Sequence, residues 1–168
     1  LQHHRAHVIS CLADNDRIEP VIGIAWDGLG YGDDGTIWGC EFFTGDPADL
    51  QRAGHLEPVA QPGGDAATRE PWRMALSYLH HLYGSQWRKH APGCIHEWPE
   101  EALPVVEAML NQGINLPLTT SSGRLFDAAA AFAAGARKIA YEGEAAIRFE
   151  ALARRREIFD KGYPFRIT

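Results

Sequence analysis

The sequence predicts an α/β fold in which a mixed sheet is flanked by helices. Three observations lead there. Residues 20–26, 36–43 and 53–60 are apolar runs of strand length bounded by turn residues. After them, Trp72, Met74, Ala75, Leu76, Tyr78, Leu79 and Leu82 repeat at helical spacing, and more helical patterns follow. The 168 residues, 45% hydrophobic and 23% charged, suit one domain with a real core.

The first element is a helix over residues 1–15 that opens Gln2-His3-His4-Arg5-Ala6-His7. His3 and His7 are four apart and share a face, a spacing that lets two imidazoles reach one divalent ion. His4 is offset by about 100° and is expected to face elsewhere. A solvated, frayed terminus is the plainer reading of the same residues. A purification tag is disfavoured, because Arg5 and Ala6 interrupt the run and Val8, Ile9 and Leu12 follow at once.

The strand at 20–26 leads into Asp27-Gly28-Leu29-Gly30-Tyr31-Gly32-Asp33-Asp34-Gly35, and the strand at 36–43 returns. Glycine at four of nine positions predicts a loop that adopts unusual dihedrals or lies close to a ligand, and its N–H groups could cradle an anion. No Gly-Lys-Ser/Thr follows, so it is not a Walker A loop, and a strand rather than a helix comes next, so it is not a dinucleotide fingerprint.

Pro62-Gly63-Gly64 is a turn with Asp65 as a candidate cap. Arg69 and Arg73 are then expected on one face at the start of a helix running to about Tyr83, either clamping a phosphate or carboxylate or simply pairing with Glu70. His80 and His81 face different directions and belong at the surface. Residues 84–98 look irregular, like an inserted loop. Pro99-Glu100-Glu101 opens a helix that stops near Gly113, its start being moved later by Pro104. Thr119-Thr120-Ser121-Ser122-Gly123 is a polar turn at a helix N-terminus, suited to an anion or nucleotide. Asp127 follows about one turn in, either solvated or turned toward a polar ligand. An alanine-rich helix over 128–136 can pack close to another backbone. A last helix opens at residues 141–147 and runs to about Ile158.

A net charge of −6 without a basic run argues against a phosphate-binding surface for nucleic acid. No apolar stretch approaches membrane-spanning length. Cys11, Cys40 and Cys94 are odd in number and far apart, which suggests reduced thiols and a cytoplasmic setting. The chain starts inside a motif, and Tyr163-Pro164-Phe165-Arg166-Ile167-Thr168 offers no terminator, so a fragment of a larger protein is expected.

Six segments come in the order and spacing of one family: Gln2-His3-His4-Arg5-Ala6-His7, residues 27–39, Pro62-Gly63-Gly64-Asp65, Arg69-Glu70-Pro71-Trp72-Arg73, residues 121–127, and Tyr141-Glu142-Gly143-Glu144-Ala145-Ala146. Together they resemble the HypF-type carbamoyltransferases of nickel–iron hydrogenase maturation, whose last domain is similar to the threonylcarbamoyl-transfer enzymes that modify tRNA. The resemblance implies part of an actin/sugar-kinase-like (ASKHA) fold, with residues 1–60 forming the metal helix, glycine loop and strands and residues 61–168 a mainly helical part. Acylphosphatase-like, zinc-binding and adenylate-forming domains and a C-terminal lobe would lie outside.

The resemblance also implies a chemistry. A carbamoyl group from carbamoyl phosphate is activated by ATP as carbamoyl-adenylate and passed to the C-terminal cysteine thiol of a HypE-type acceptor. His3 and His7 match the family's metal ligands, for zinc or iron, with magnesium for the nucleotide. The third ligand is expected beyond residue 168, so that this chain alone binds metal weakly. Asp27, Gly28, Leu29, Gly30 and Tyr31 match an acyl-phosphate segment, with Asp27, Arg69 and Arg73 as catalytic candidates. Gly123, Asp127, Gly143 and Glu144 match nucleotide contacts. No nucleic acid and no membrane are expected as partners. An antibiotic-type O-carbamoyltransferase and a catalytically incomplete binding module are the alternatives.

Overall fold

The structure is a computed structural model that describes residues 1–155. It is a five-stranded mixed sheet with helices packed beside it, as the sequence predicts. Helix α1 (His3–Asp14) starts where Gln2 caps it: the side-chain oxygen accepts from the His4 and Arg5 amides. The strands are β1 (Val21–Tyr31), β2 (Ile37–Asp46), β3 (Asp49–His55), β4 (Val59–Ala60) and β5 (Leu118–Thr119). β2 is central. It pairs antiparallel with β1 along one edge; along the other its start meets β5 in parallel and its end meets β3 antiparallel. β4 closes antiparallel on β5.

Two expectations about the sheet change. The glycine stretch is mostly strand: β1 runs through Asp27 to Tyr31, and only residues 32–36 form the turn. A register shift between Trp26 and Gly30 absorbs the irregularity as a bulge, because pairing with β2 resumes at Gly30–Trp38. The expected third strand, 53–60, is two strands interrupted at Leu56-Glu57-Pro58, since proline cannot donate to a ladder.

The helices are α2 (Asp65–Arg69), α3 (Trp72–Tyr83), α4 (Trp87–His90), α5 (Leu103–Gln112), α6 (Ser122–Ala133) and α7 (Glu144–Ala153). The continuation of the last helix to Ile158, and the segment Tyr163–Thr168, lie outside the described residues. Residues 84–98 are no loose insertion: Trp87 and Trp98 are buried in the main core with Trp72, Met74, Leu76, Val106, Ala128 and Ala131. Their indoles anchor the short helical turns between α3 and α5. A second core joins α1 to the sheet through Val8, Leu12, Ala25, Trp38, Phe43 and Leu50. The alternation of β1 turns Gly23 and Ala25 toward α1 and leaves Ile22, Ile24 and Trp26 exposed on the opposite face. Among the described residues no helix is long and apolar enough to cross a membrane.

Helix α6 packs into the main core through Ala128 and Ala131, and its N-terminus meets the bulge of β1 almost backbone to backbone. Ser121 Oγ donates to the Gly28 carbonyl at 2.7 Å, and Ser122 Oγ reaches the carbonyls of Asp27 at 3.2 Å and Gly39 at 3.1 Å. The approach depends on missing Cβ atoms. One on Gly39 would lie 2.6 Å from the Asp27 carbonyl oxygen and 2.7 Å from Ser121 Cα; one on Gly123 would lie 2.9 Å from Gly28 Cα. Gly39→Ala is therefore expected to lower stability by about 1–3 kcal/mol through overpacking against backbone. Urea unfolding should show a lower midpoint at an unchanged m-value.

Candidate metal centre and adjoining cleft

The bulge turns Asp27 toward the N-terminus of α1. Its Oδ2 stands 2.6 Å from His3 Nε2 and 3.9 Å from His7 Nε2, and the two imidazole nitrogens are 3.1 Å apart. All three atoms lie within 4.8 Å of one another. Tetrahedral coordination at ~2.0–2.1 Å needs donors roughly 3.4 Å apart, so small shifts of exposed rings would seat an ion. Two imidazoles and one carboxylate, with His3 and His7 open to solvent, suit a divalent zinc- or iron-type ion that keeps free coordination positions. The third ligand expected beyond residue 168 is thus joined by an unforeseen one within the chain. Asp27 is far from the histidines in sequence and near them only because β1 runs back past α1. The chain alone offers a three-donor set rather than a pair.

Burial opposes ionisation of Asp27. The hydrogen bond with His3, the Gly28 N–H at 2.6 Å and the neighbouring histidines outweigh it, holding the carboxyl below its ordinary range. The Gly28 amide is therefore engaged in orienting Asp27 and is not open to an external anion. His4, expected to face away from the site, is fully buried and its Nε2 is 3.7 Å from Asp27 Oδ2. Burial pushes its ring pKa down, against the pull of Asp27 and Glu41. Gly30 is the floor for this ring, since a Cβ there would overlap it. Tyr31 is exposed, and its carbonyl accepts from Gln2 at 3.1 Å.

On the other side of the bulge lies a cleft of about 380 Å³, lined by Gly28, Leu29, Asp65, Thr68, Arg69, Arg124, and residues 139–143. Of the predicted site residues it gathers Gly28, Leu29, Arg69 and Gly143. Arg69 and Arg73 do not share a helical face. Glu70-Pro71 breaks the helix between them, leaving Arg69 at the end of α2 and Arg73 in the first turn of α3. Arg73 pairs with Glu70 and lies over Trp72. Arg69 lines the cleft without an ion-pair partner among the described residues. Gly123 does not line it but allows α6 to touch Gly28. Glu144 points inward, accepting from the Ala140 amide at 2.6 Å and pairing with Arg148.

Asp127 is neither solvated nor in the cleft. It is buried behind Arg124, whose Nε stands 2.7 Å from its Oδ2. Desolvation outweighs that guanidinium and raises its pKa to about 6. Arg124 itself lines the cleft; sequence reasoning did not single it out, although it sits in the Ser121–Asp127 motif. The turn 32–36 is tied down by the exposed Asp34, which caps Thr36, accepts from Trp38 Nε1 at 2.9 Å and pairs with Arg52; against a partial desolvation that raises it, these contacts lower its pKa to about 2. Arg52 also binds the fully buried Glu41 at 2.6 Å.

A family model described as "Carbamoyltransferase, Kae1-like Domain, second subdomain" matches residues 23–168. Carbamoyltransferase HypF2 of Cupriavidus necator is 44% identical over 154 residues, covering 91% of this chain and 18% of that protein. Probable carbamoyltransferase HypF of Methanocaldococcus jannaschii is 39% identical over 155 residues, covering 92% and 20%. A crystal structure of full-length HypF in a phosphate- and nucleotide-bound form superimposes with a TM-score of 0.78 at 34% identity, over 88% of this chain and 19% of that one. The chain thus spans about a fifth of the length of these relatives.

The raised Asp127 pKa has a signed consequence. The folded state binds this proton more tightly than the unfolded chain, so the group's contribution is most favourable below pH 3.8 and is lost as pH rises to about 6. Asp127→Asn should flatten stability across that window, by at most about 3 kcal/mol. Thermal melts of both proteins from pH 4 to 7 measure it.

Proposed function

Because this chain belongs to the Kae1-like carbamoyltransferase domain family of the HypF proteins, we propose that it forms part of the domain that transfers a carbamoyl group in hydrogenase maturation. The observation that carries the reading is the convergence of His3 Nε2, His7 Nε2 and Asp27 Oδ2 beside a cleft holding Arg69 and Arg124. One divalent ion held by those three atoms would act as a Lewis acid toward the carbamoyl or phosphate oxygen.

The remaining work falls to the chain. Asp27, with its pKa held low, presents an ionised oxygen at neutral pH. Arg69 and Arg124 are placed to offset the charge of a phosphate in the cleft, with Asp127 fixing the Arg124 side chain from behind. Gly143 borders the same cleft at the start of α7. The donor would be carbamoyl-adenylate, made from carbamoyl phosphate and ATP. The acceptor's C-terminal cysteine thiol gives up its proton to solvent, its sulfur bonds to the carbamoyl carbon, the carbon–oxygen bond to the adenylate phosphate breaks, and AMP leaves with the electron pair. A full-length HypF solved in a phosphate- and nucleotide-bound form supports nucleotide use by the complete protein.

The test is thiol carbamoylation of a HypE-type acceptor, followed by mass spectrometry, in the enzyme that carries this chain. His3→Ala, His7→Ala and Asp27→Asn should each lower the rate by about 10²-fold or more, the scale of losing an electrostatic stabiliser. Arg124→Ala should weaken nucleotide binding about tenfold or more, one charge-assisted contact's worth. Unchanged carbamoylation in both histidine variants would sink the metal assignment. Unchanged nucleotide binding in Arg124→Ala would sink the role given to the cleft.

A further inference from the structure

We propose that His4, the histidine between the two candidate ligands, is a positioning residue for Asp27: Gln2 sets its ring as the Nε2–H tautomer, and that N–H is the donor held ready for Asp27 Oδ2. The last step rests on the metal reading above; the tautomer does not.

The Gln2 amide has one possible orientation. Its Oε1 accepts from two backbone amides, His4 N at 2.8 Å and Arg5 N at 3.1 Å. Its nitrogen faces the Tyr31 carbonyl at 3.1 Å and His4 Nδ1 at 2.9 Å. A carbonyl oxygen only accepts, so the group facing Tyr31 must be the NH₂. The second proton of that NH₂ then points at Nδ1, which must offer a lone pair. A ring with its lone pair on Nδ1 carries its proton on Nε2.

That N–H is enclosed. His4 is fully buried, between Gly30 and the Trp38 ring 6.3 Å away, and Nε2 has no hydrogen-bond partner among the described residues. Asp27 Oδ2 is 3.7 Å from it, and a movement of about 0.8 Å makes an ordinary N–H···O bond. The reason for holding a donor in reserve lies in His3. Asp27 Oδ2, being ionised, accepts from His3 Nε2 at 2.6 Å. If His3 Nε2 turns its lone pair to an ion, Asp27 loses that donor, and His4 keeps the carboxylate aimed. Outer donors of this kind orient ligands and typically carry 10–100-fold in metal affinity. The N-cap of α1 and the third corner of the metal set are thereby one hydrogen-bonded unit, Gln2–His4–Asp27.

Two measurements on the full chain test it. Long-range ¹H–¹⁵N correlation of the metal-free protein should show His4 protonated at Nε2 and bare at Nδ1. Gln2→Glu, which still caps the helix but accepts at Nδ1, should reverse that pattern. Titration with Zn²⁺ alone should give about 10–100-fold weaker binding for His4→Phe and for Gln2→Glu. His4→Gln, whose amide nitrogen reaches close to the ring Nε2 position, should bind within a few-fold of the parent. A proton on Nδ1 in the parent chain overturns the proposal, as does parental affinity in His4→Phe, or a His4 Nε2 resonance that shifts as a ligand on Zn²⁺ addition. If the parent chain binds no Zn²⁺, the metal reading fails instead, and the tautomer measurement still decides whether Gln2 sets the His4 ring.

Discussion

The seam between the N-terminus of α6 and the bulge of β1 is the constraint on which the site depends. Ser121 Oγ donates to the Gly28 carbonyl, and the one proton of Ser122 Oγ is shared between the carbonyls of Asp27 and Gly39, groups beside the break in the ladder. Each such bond contributes about 1 kcal/mol net, but a buried carbonyl left unpaired costs more. The geometry therefore has two requirements, hydroxyls at 121 and 122 and no Cβ at 39 and 123. Their joint result is that one residue, Asp27, faces the histidines, while the next, Gly28, faces the cleft.

A second set of contacts keeps the histidine side from drifting. Arg5 pairs with Asp33 and so ties α1 to the β1–β2 turn. Asp34, Arg52, Glu41 and Thr120 continue as a chain of ion pairs and hydrogen bonds, with Arg52 lying 3.8 Å over the Trp38 ring. A buried pair like Glu41–Arg52 adds little net stability, because desolvation cancels much of the attraction, yet removing one partner is costly. Its effect is on uniqueness: α1, the turn and the start of α6 are held in one arrangement, so the donors meet before any ligand arrives.

The two aspartates show how environment divides similar groups. Asp27 is surrounded by donors that hold its carboxyl below its ordinary range. Asp127 has one guanidinium and an alanine-rich helix around it, and its pKa rises to about 6. It borders the cleft only through its pair with Arg124.

What the sequence by itself determined is what short-range chemistry encodes. Apolar runs bounded by turn residues marked the strands, period-3.6 patterns marked α3 and α5, and the four-residue spacing put His3 and His7 on one face of α1. The order of six motifs pointed to the family. The misread elements were those in which distant pairing overrides local preference. Gly28 and Gly30, which look like loop residues, lie in a strand because β2 pairs on both sides of the bulge, and residues 84–98 look irregular but are anchored by two buried indoles. Arg69 and Arg73 separated because one proline ended a helix between them. Only the tertiary structure decided that Asp27 completes a three-donor set, that Arg124 lines the cleft and that His4 is buried against the site. Those facts depend on where β1 passes α1 and how closely α6 can approach. Backbone packing between segments far apart in the chain sets both distances, and no local pattern records them.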